Sequence, residues 1–309
     1  MTAQPWNAIA HHVDLAGDVH YVRFDGGDDA DPLPPVVLVH GLGGSHLNWV
    51  LLGPLLATGN RVYALDLPGF GLSYPAGRRA DVTRNGLVLD AFLREVVGAP
   101  ALLVGNSMGG LLSMAQAVRR PDSVTGLVLV DPVLPRAKDA PWDRQVGAAF
   151  LTYAVPGLGE RYLARRRRLL PPRRTVMETL ATVCADYRTL PEAFVEASVA
   201  LAERRAAEAS PVRLLDAAYL QAARSLLRMA GRRASYAAMM RAIDVPVLLV
   251  HGAKDRLVPV QSARAAAAHC PHWRYEELPD LGHVPQIEEP ATVARLISEW
   301  LGARPIAAP

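Results

Sequence analysis

The chain has 309 residues, half of them apolar, with 33 Lys and Arg against 30 Asp and Glu and a formal net charge of +3. That length and apolar content supply one large α/β domain, or two ordinary ones, with a core that needs no disulfide staples. The two cysteines, Cys184 and Cys270, lie far apart without metal-ligand spacing, which excludes a disulfide framework and reads as small buried residues in a reducing compartment.

The N-terminus has neither a positive n-region nor an apolar h-region, and no uncharged apolar run approaches membrane-spanning length, so a cytoplasmic protein without a transmembrane segment is expected. Charge is unevenly placed: residues 133–243 hold 19 Lys and Arg against 10 Asp and Glu, and the remainder 14 against 20. The basic excess is local and lacks interleaved aromatics, so no nucleic-acid partner is expected.

In chain order, Asp18 to Phe24 alternates as a half-buried edge strand does, and 25–32 reads as a surface loop. Val36-Val37-Leu38-Val39 is a continuous run of the kind buried in a parallel sheet, and it ends in His40-Gly41-Leu42-Gly43-Gly44, where glycines bring backbone N–H groups beside a ligand. Leu47 to Ala57 suits a helix, Arg61 to Leu65 a strand, Asp66 to Ser73 a turn-rich loop, and Asn85 to Val97 a helix. With strands from Ala101 and over Val124 to Val130, the first 130 residues alternate strand and helix, which implies parallel pairing with right-handed crossovers.

The pattern changes at Asp131-Pro132, and strands do not return until Val245 to Val250. Between them Pro191 to Ala209 and Pro211 to Ala230 are rich in helix formers, with prolines at their starts. The chain then reads as helix over Gln261 to His269, strand over Trp273 to Leu278 and closing helix over Pro290 to Leu301, with a fraying tail. The expected architecture is a mostly parallel sheet flanked by helices: a core of residues 1–132 and 244–309, interrupted by an all-helical cap at 133–243.

The chemistry centres on Gly105-Asn106-Ser107-Met108-Gly109. A strand precedes this G-x-S-x-G and a helix follows, so the glycines let a sharp turn close with Ser107 at its apex and the helix N-terminus behind it. A serine hydroxyl needs a base and a group to orient that base. Asp255, in the loop leaving the Val245 strand, and His283, in the loop after the last strand, complete the chain order Ser, Asp, His.

On these residues the chain resembles the α/β-hydrolase family from about Val36 to Leu301. The resemblance implies that Ser107 is the nucleophile, His283 the general base and then acid, and Asp255 the carboxylate that orients the imidazole. It implies an oxyanion hole from the backbone N–H groups of Leu42 and Met108, with Gly43 the alternative to Leu42. Asp131 is the rival acid, because some members place theirs after that strand. Asp66 reads as a structural turn residue, His40 and His251 as packing behind their loops, and His11, His12, His46, His269 and His272 as ordinary surface histidines.

In this family a serine at the elbow implies acyl transfer, whereas members that open epoxides or displace halides carry an aspartate there. With no metal-ligand cluster and no dinucleotide-binding glycine motif, chemistry without cofactor or metal is expected. The leading expectation is a carboxylic ester hydrolase. Gly105-Asn106-Ser107-Met108-Gly109-Gly110 is also similar to the elbow of carbon–carbon bond hydrolases of the meta-cleavage type, where the asparagine helps bind a dienoate. Against that, Val284 stands where those enzymes carry tryptophan, and Leu42-Gly43-Gly44 replaces a bulkier loop. Thioester, lactone and amide hydrolysis use the same machinery, and a non-catalytic binding protein on this scaffold is the alternative of another class.

Cap residues such as Phe150, Tyr153, Val155, Leu158, Tyr162 and Tyr219 offer apolar lining above Ser107, suiting a small apolar acyl or aryl ester. Arg165-Arg166-Arg167-Arg168 with Arg173 and Arg174 forms the densest basic cluster, either a solvated face or a weak attraction for anionic surfaces.

Overall fold

The continuous apolar runs occupy the centre of a sheet because only a strand covered on both faces can bury every side chain it carries. In the computed structural model, which describes residues 3–4, 6–24, 33–75, 77–141, 143–207 and 212–302, nine strands form one sheet. They are β1 (Ala3–Gln4), β2 (Ala8–Asp14), β3 (Asp18–Phe24), β4 (Val36–Val39), β5 (Val62–Leu65), β6 (Ala101–Asn106), β7 (Val124–Val130), β8 (Val247–Gly252) and β9 (Arg274–Leu278). Their order is β1-β2-β3-β5-β4-β6-β7-β8-β9. The first three strands pair antiparallel, β3 joins β5 antiparallel, and every pairing from β5 onward is parallel.

Alternation along these strands divides the core between the two faces. Val37, Val39, Leu103, Leu127, Leu129 and Leu249 pack on one side, and Val36, Leu38, Leu102, Val104, Val128, Val130, Leu248 and Val250 on the other. The chain leaves the sheet after β7 and returns at β8. Between them stand six α-helices, Arg144–Ala154, Leu158–Leu169, Pro172–Val183, Glu192–Ala207, Val212–Gly231 and Arg233–Arg241, and no strand among the described residues. No helix of the described residues is long and apolar enough to cross a membrane.

Several elements differ from the sequence expectations. The single helix over Leu47 to Ala57 is instead a 3-10 turn, His46–Trp49, and a short helix, Gly53–Leu56, because Pro54 restarts the backbone hydrogen bonding as an N-terminal proline. The helix expected from Asn85 begins at Val82, where the Asp81 carboxylate accepts the Arg84 N–H at 3.1 Å. Its last turn, Leu93–Val97, is π-type and stops at Gly98, φ +68°. The surface loop at 25–32 and the tail from 303 onward lie outside the described residues.

Candidate active site

The catalytic candidates stand at the C-terminal edge of the parallel strands, where Ser107 follows β6, Asp131 follows β7, Asp255 follows β8 and His283 follows β9. Ser107 lies between β6 and the helix Met108–Arg119 with φ +54° and ψ −114°, a conformation L-residues adopt only under constraint. The constraint is visible. Ser107 N–H donates to Val130 O at 3.1 Å, and Ser107 O accepts from Leu111 N–H at 3.2 Å and Val133 N–H at 3.1 Å. The flanking glycines are dictated by close backbone approach: a Cβ on Gly105 would lie 2.5 Å from Gly109 O, and one on Gly109 would collide with the Val39 carbonyl.

The glycine-rich loop after β4, residues 40–44, crosses directly over this turn, so that a Cβ on Gly41 would stand 3.0 Å from Ser107 Cβ. It is held by Gly44 N–H donating to Gly41 O at 3.1 Å and by Asn48 Oδ1 accepting Ser45 N–H at 2.8 Å. Met108 is the first residue of its helix, and neither its N–H nor that of Leu42 has an acceptor among the described residues. Both are therefore free to donate to a ligand.

His283 is buried and its Nδ1 meets Asp255 Oδ2 at 2.7 Å, while Asp255 Oδ1 accepts the N–H groups of Leu257 at 2.7 Å and Val258 at 3.0 Å. Burial alone would raise the Asp255 carboxyl. His283, His251 and the Val258 N–H outweigh it and hold Asp255 below the ordinary carboxylate range. An ionised Asp255 fixes the imidazole proton on Nδ1 and leaves Nε2 as the free ring nitrogen. Among the described residues no hydrogen bond joins Ser107 Oγ to His283, whose residue is brought to the elbow instead through Asn106: Nδ2 donates to His283 O and to Val130 O, each at 3.0 Å.

Asp131 is also here, fully buried with φ +43°, and its oxygen lies within 4.8 Å of those of Asp255 and the ring nitrogen of His283. Gly252 N–H donates to Oδ1 at 2.9 Å, whereas Oδ2 receives no donor. Burial and the charge of Asp255 hold this carboxyl well above its usual range. His251, between them, donates Nε2–H to Val258 O at 2.8 Å.

Three features were not legible in the sequence. His46 is buried, not on the surface: its Nδ1 and backbone N–H, the Nδ1 of His20 and the Leu72 N–H all converge on the Asp66 carboxylate at 2.6–3.1 Å. These three side chains have the ligand types of a metal site, but the hydrogen bonds already account for both Asp66 oxygens. The His283 loop is tied to the cap, since His283 N–H donates to Val183 O at 2.7 Å and Glu288 accepts both Gly282 N–H at 2.8 Å and Ala185 N–H at 2.6 Å. Finally, Tyr219 reaches Gly43, whose missing Cβ would lie 3.2 Å from the ring, and it stacks edge-on with Tyr153, centroids 5.4 Å apart. Val155 and Leu158, expected as pocket lining, point instead to solvent, 49% and 48% exposed.

A parallel sheet with an elbow serine, a carboxylate-paired histidine and a helical insertion after the strand beyond the elbow defines a hydrolase class. The chain belongs to the alpha/beta hydrolase fold family, whose family model matches residues 34–290. It is 30% identical over 271 residues to a pimeloyl-[acyl-carrier protein] methyl ester esterase of Aromatoleum aromaticum, covering 86% of this chain and 97% of that protein. It is 28% identical over 289 residues to a 2-hydroxymuconate semialdehyde hydrolase of Pseudomonas sp. strain CF600, covering 89% of each. Among solved structures, a haloalkane dehalogenase from Bradyrhizobium elkani USDA94 superposes with a TM-score of 0.77 at 25% identity, over 96% of this chain and 98% of that one.

Proposed function

We propose that the protein hydrolyses carboxylic esters of small apolar acids or alcohols through an acyl-enzyme on Ser107. The observation that carries this reading is the 2.7 Å His283–Asp255 contact beside a serine held at positive φ on a strand-to-helix turn. His283 Nε2 takes the Ser107 proton as Oγ attacks the ester carbonyl, and the N–H groups of Met108 and Leu42 receive the developing oxyanion. The imidazolium returns that proton to the departing alkoxide, releasing the alcohol. Water, deprotonated by the same nitrogen, then attacks the acyl-enzyme; His283 protonates Ser107 Oγ and the acid leaves. In this scheme the base closes on the hydroxyl only when substrate is bound, a common behaviour of empty sites.

The same reading makes residues 133–243 a cap domain that encloses the substrate, with Tyr219 and Tyr153 beside the oxyanion loop. Carbon–carbon bond hydrolysis, the activity named for the Pseudomonas relative, is the second reading. Asn106 weighs against it, because both of its amide N–H groups are committed to Val130 O and His283 O and its side chain is buried. It holds two loops together and has no donor left for a dienoate.

The test is hydrolysis of a p-nitrophenyl ester series from acetate to palmitate by the wild type and Ser107→Ala. Wild-type turnover should fall by roughly 10⁴-fold or more in the variant. Turnover of a vinylogous diketone with none of any ester would overturn the ester reading in favour of the second.

A further inference from the structure

The cap carries a surface that the reaction does not use. Of the large apolar side chains exposed among the described residues, Leu151 (63%), Val155 and Leu158 cluster at the hairpin joining the helices Arg144–Ala154 and Leu158–Leu169, and Leu169 (57%) ends the second helix. At 100° per residue Leu158 and Leu169 lie on one line of that helix, three turns apart, with Arg165, Arg161 and Arg168 within about 80° to one side of Leu158. These three arginines are exposed and have no ion pair or side-chain hydrogen bond among the described residues. Their neighbours behave differently: Arg166 pairs with Glu178 at 2.8 Å and Arg167 with Asp216. The helix thus turns two neutralised arginines toward the cap and three free ones outward, framed by leucines.

The hairpin is held in this attitude. Arg224 donates from Nε to Tyr153 O at 2.8 Å, clasps Glu160 at 2.9 and 3.0 Å and reaches Val155 O at 3.3 Å, while Glu160 accepts Gly157 N–H at 2.8 Å. The same turn that presents Val155 outward sends Tyr153 inward against Tyr219, which touches Gly43 of the oxyanion loop. The hairpin that bears the apolar tip is therefore linked through two tyrosines to the loop beside Ser107.

We propose that this face of the cap docks on an anionic lipid surface, the helix Leu158–Leu169 lying in the interface plane. A bilayer supplies in one layer what the face presents: anionic headgroups at the level of Arg161, Arg165 and Arg168, and hydrocarbon just beneath for Leu151, Val155, Leu158 and Leu169. An acidic soluble protein would satisfy the arginines but offers protruding leucines no hydrocarbon to enter. The docked molecule would turn its site toward the phase in which apolar esters concentrate.

The test is cosedimentation with vesicles of phosphatidylcholine alone and of equimolar phosphatidylcholine and phosphatidylglycerol, with Ser107→Ala carried alongside to keep binding separate from catalysis. The wild type and Ser107→Ala bind the anionic vesicles alike, bind the neutral ones weakly, and are released by high salt. Arg161→Glu/Arg165→Glu/Arg168→Glu weakens binding by at least roughly 100-fold, about fivefold for each arginine lost before the added negative charges act, and Leu151→Ser/Val155→Ser/Leu158→Ser weakens it without changing the salt dependence. Circular dichroism confirms that these exposed substitutions leave the fold intact, and Arg173→Glu, on another part of the cap, binds as the wild type does. No binding by the wild type at low salt overturns the proposal. Loss in the arginine variant with full binding by the leucine variant overturns it too, assigning the face to an acidic protein or other polyanion.

Discussion

At the scale of single residues, the site holds two buried carboxyls that their surroundings push in opposite directions. His283 and two backbone N–H groups hold Asp255 below the ordinary carboxylate range in spite of its burial, whereas burial and the charge of Asp255 hold Asp131 well above it. Replacing Asp255 with Asn leaves the burial of Asp131 but removes the neighbouring charge that also pushes its carboxyl up, and Asp131 stands close enough to His283 to take over part of the role of Asp255. Asp255→Asn should therefore lower kcat/KM by about 10²-fold, and Asp131→Asn/Asp255→Asn by the roughly 10⁴-fold seen when an orienting acid is lost outright. Steady-state kinetics of the two single variants and the double variant check this. Equal losses in Asp255→Asn and the double variant would show that Asp131 contributes nothing.

At the scale of elements, the His283 loop depends on the cap through Glu288. Its two oxygens accept N–H groups from Gly282 and Ala185, one on each side of the contact. Glu288→Ala leaves both donors without a partner in a half-buried place, a cost of about 2 kcal/mol, and loosens the histidine. Glu288→Gln retains one acceptor and should lose less. Denaturant unfolding together with kcat/KM measures both effects, and an Ala variant as stable and active as the wild type would contradict the assignment.

The elements themselves were largely legible in the sequence. Apolar runs announced β4, β6 and β7, and the glycine spacing announced the elbow, because these depend on neighbours a few residues apart. β2 was hidden because Ala8-Ile9-Ala10-His11-His12-Val13-Asp14 alternates only weakly, and its strand character comes from pairing along the whole of β3. The structural settings of His46 and Asn106 are hidden for a related reason: the groups they bond, Asp66 and His283 O, are 20 and 177 residues away. Local pattern carries no trace of such partners.

At the scale of the whole molecule, buried titratable groups set the response to acid. His40 is fully buried, with Nε2 accepting Leu67 N–H at 3.0 Å, and burial, partly opposed by Asp66, pushes it down from 6.5 to about 4. Between those values the unfolded chain binds a proton that the folded protein refuses, so this contribution is complete above about pH 6.5 and is lost as pH falls toward about 4. The full loss is about 3 kcal/mol. Asp66, held well below its usual range by His46 and His20 in spite of burial, extends the loss below pH 3.8. Urea unfolding at about pH 7 and about pH 5 should show His40→Gln less stable at the higher pH but with a shallower fall than the wild type. An unchanged slope would remove His40 from the account.

The proposed reaction stands or falls on Ser107 being a nucleophile activated by His283. Labelling with a fluorophosphonate, followed by peptide mapping, tests it without assuming a substrate. One adduct is expected, on the peptide that contains Ser107, absent in Ser107→Ala and slowed by roughly 10²-fold or more in His283→Ala. No adduct on the folded wild type, or an adduct on another serine at the same rate in both variants, would contradict it.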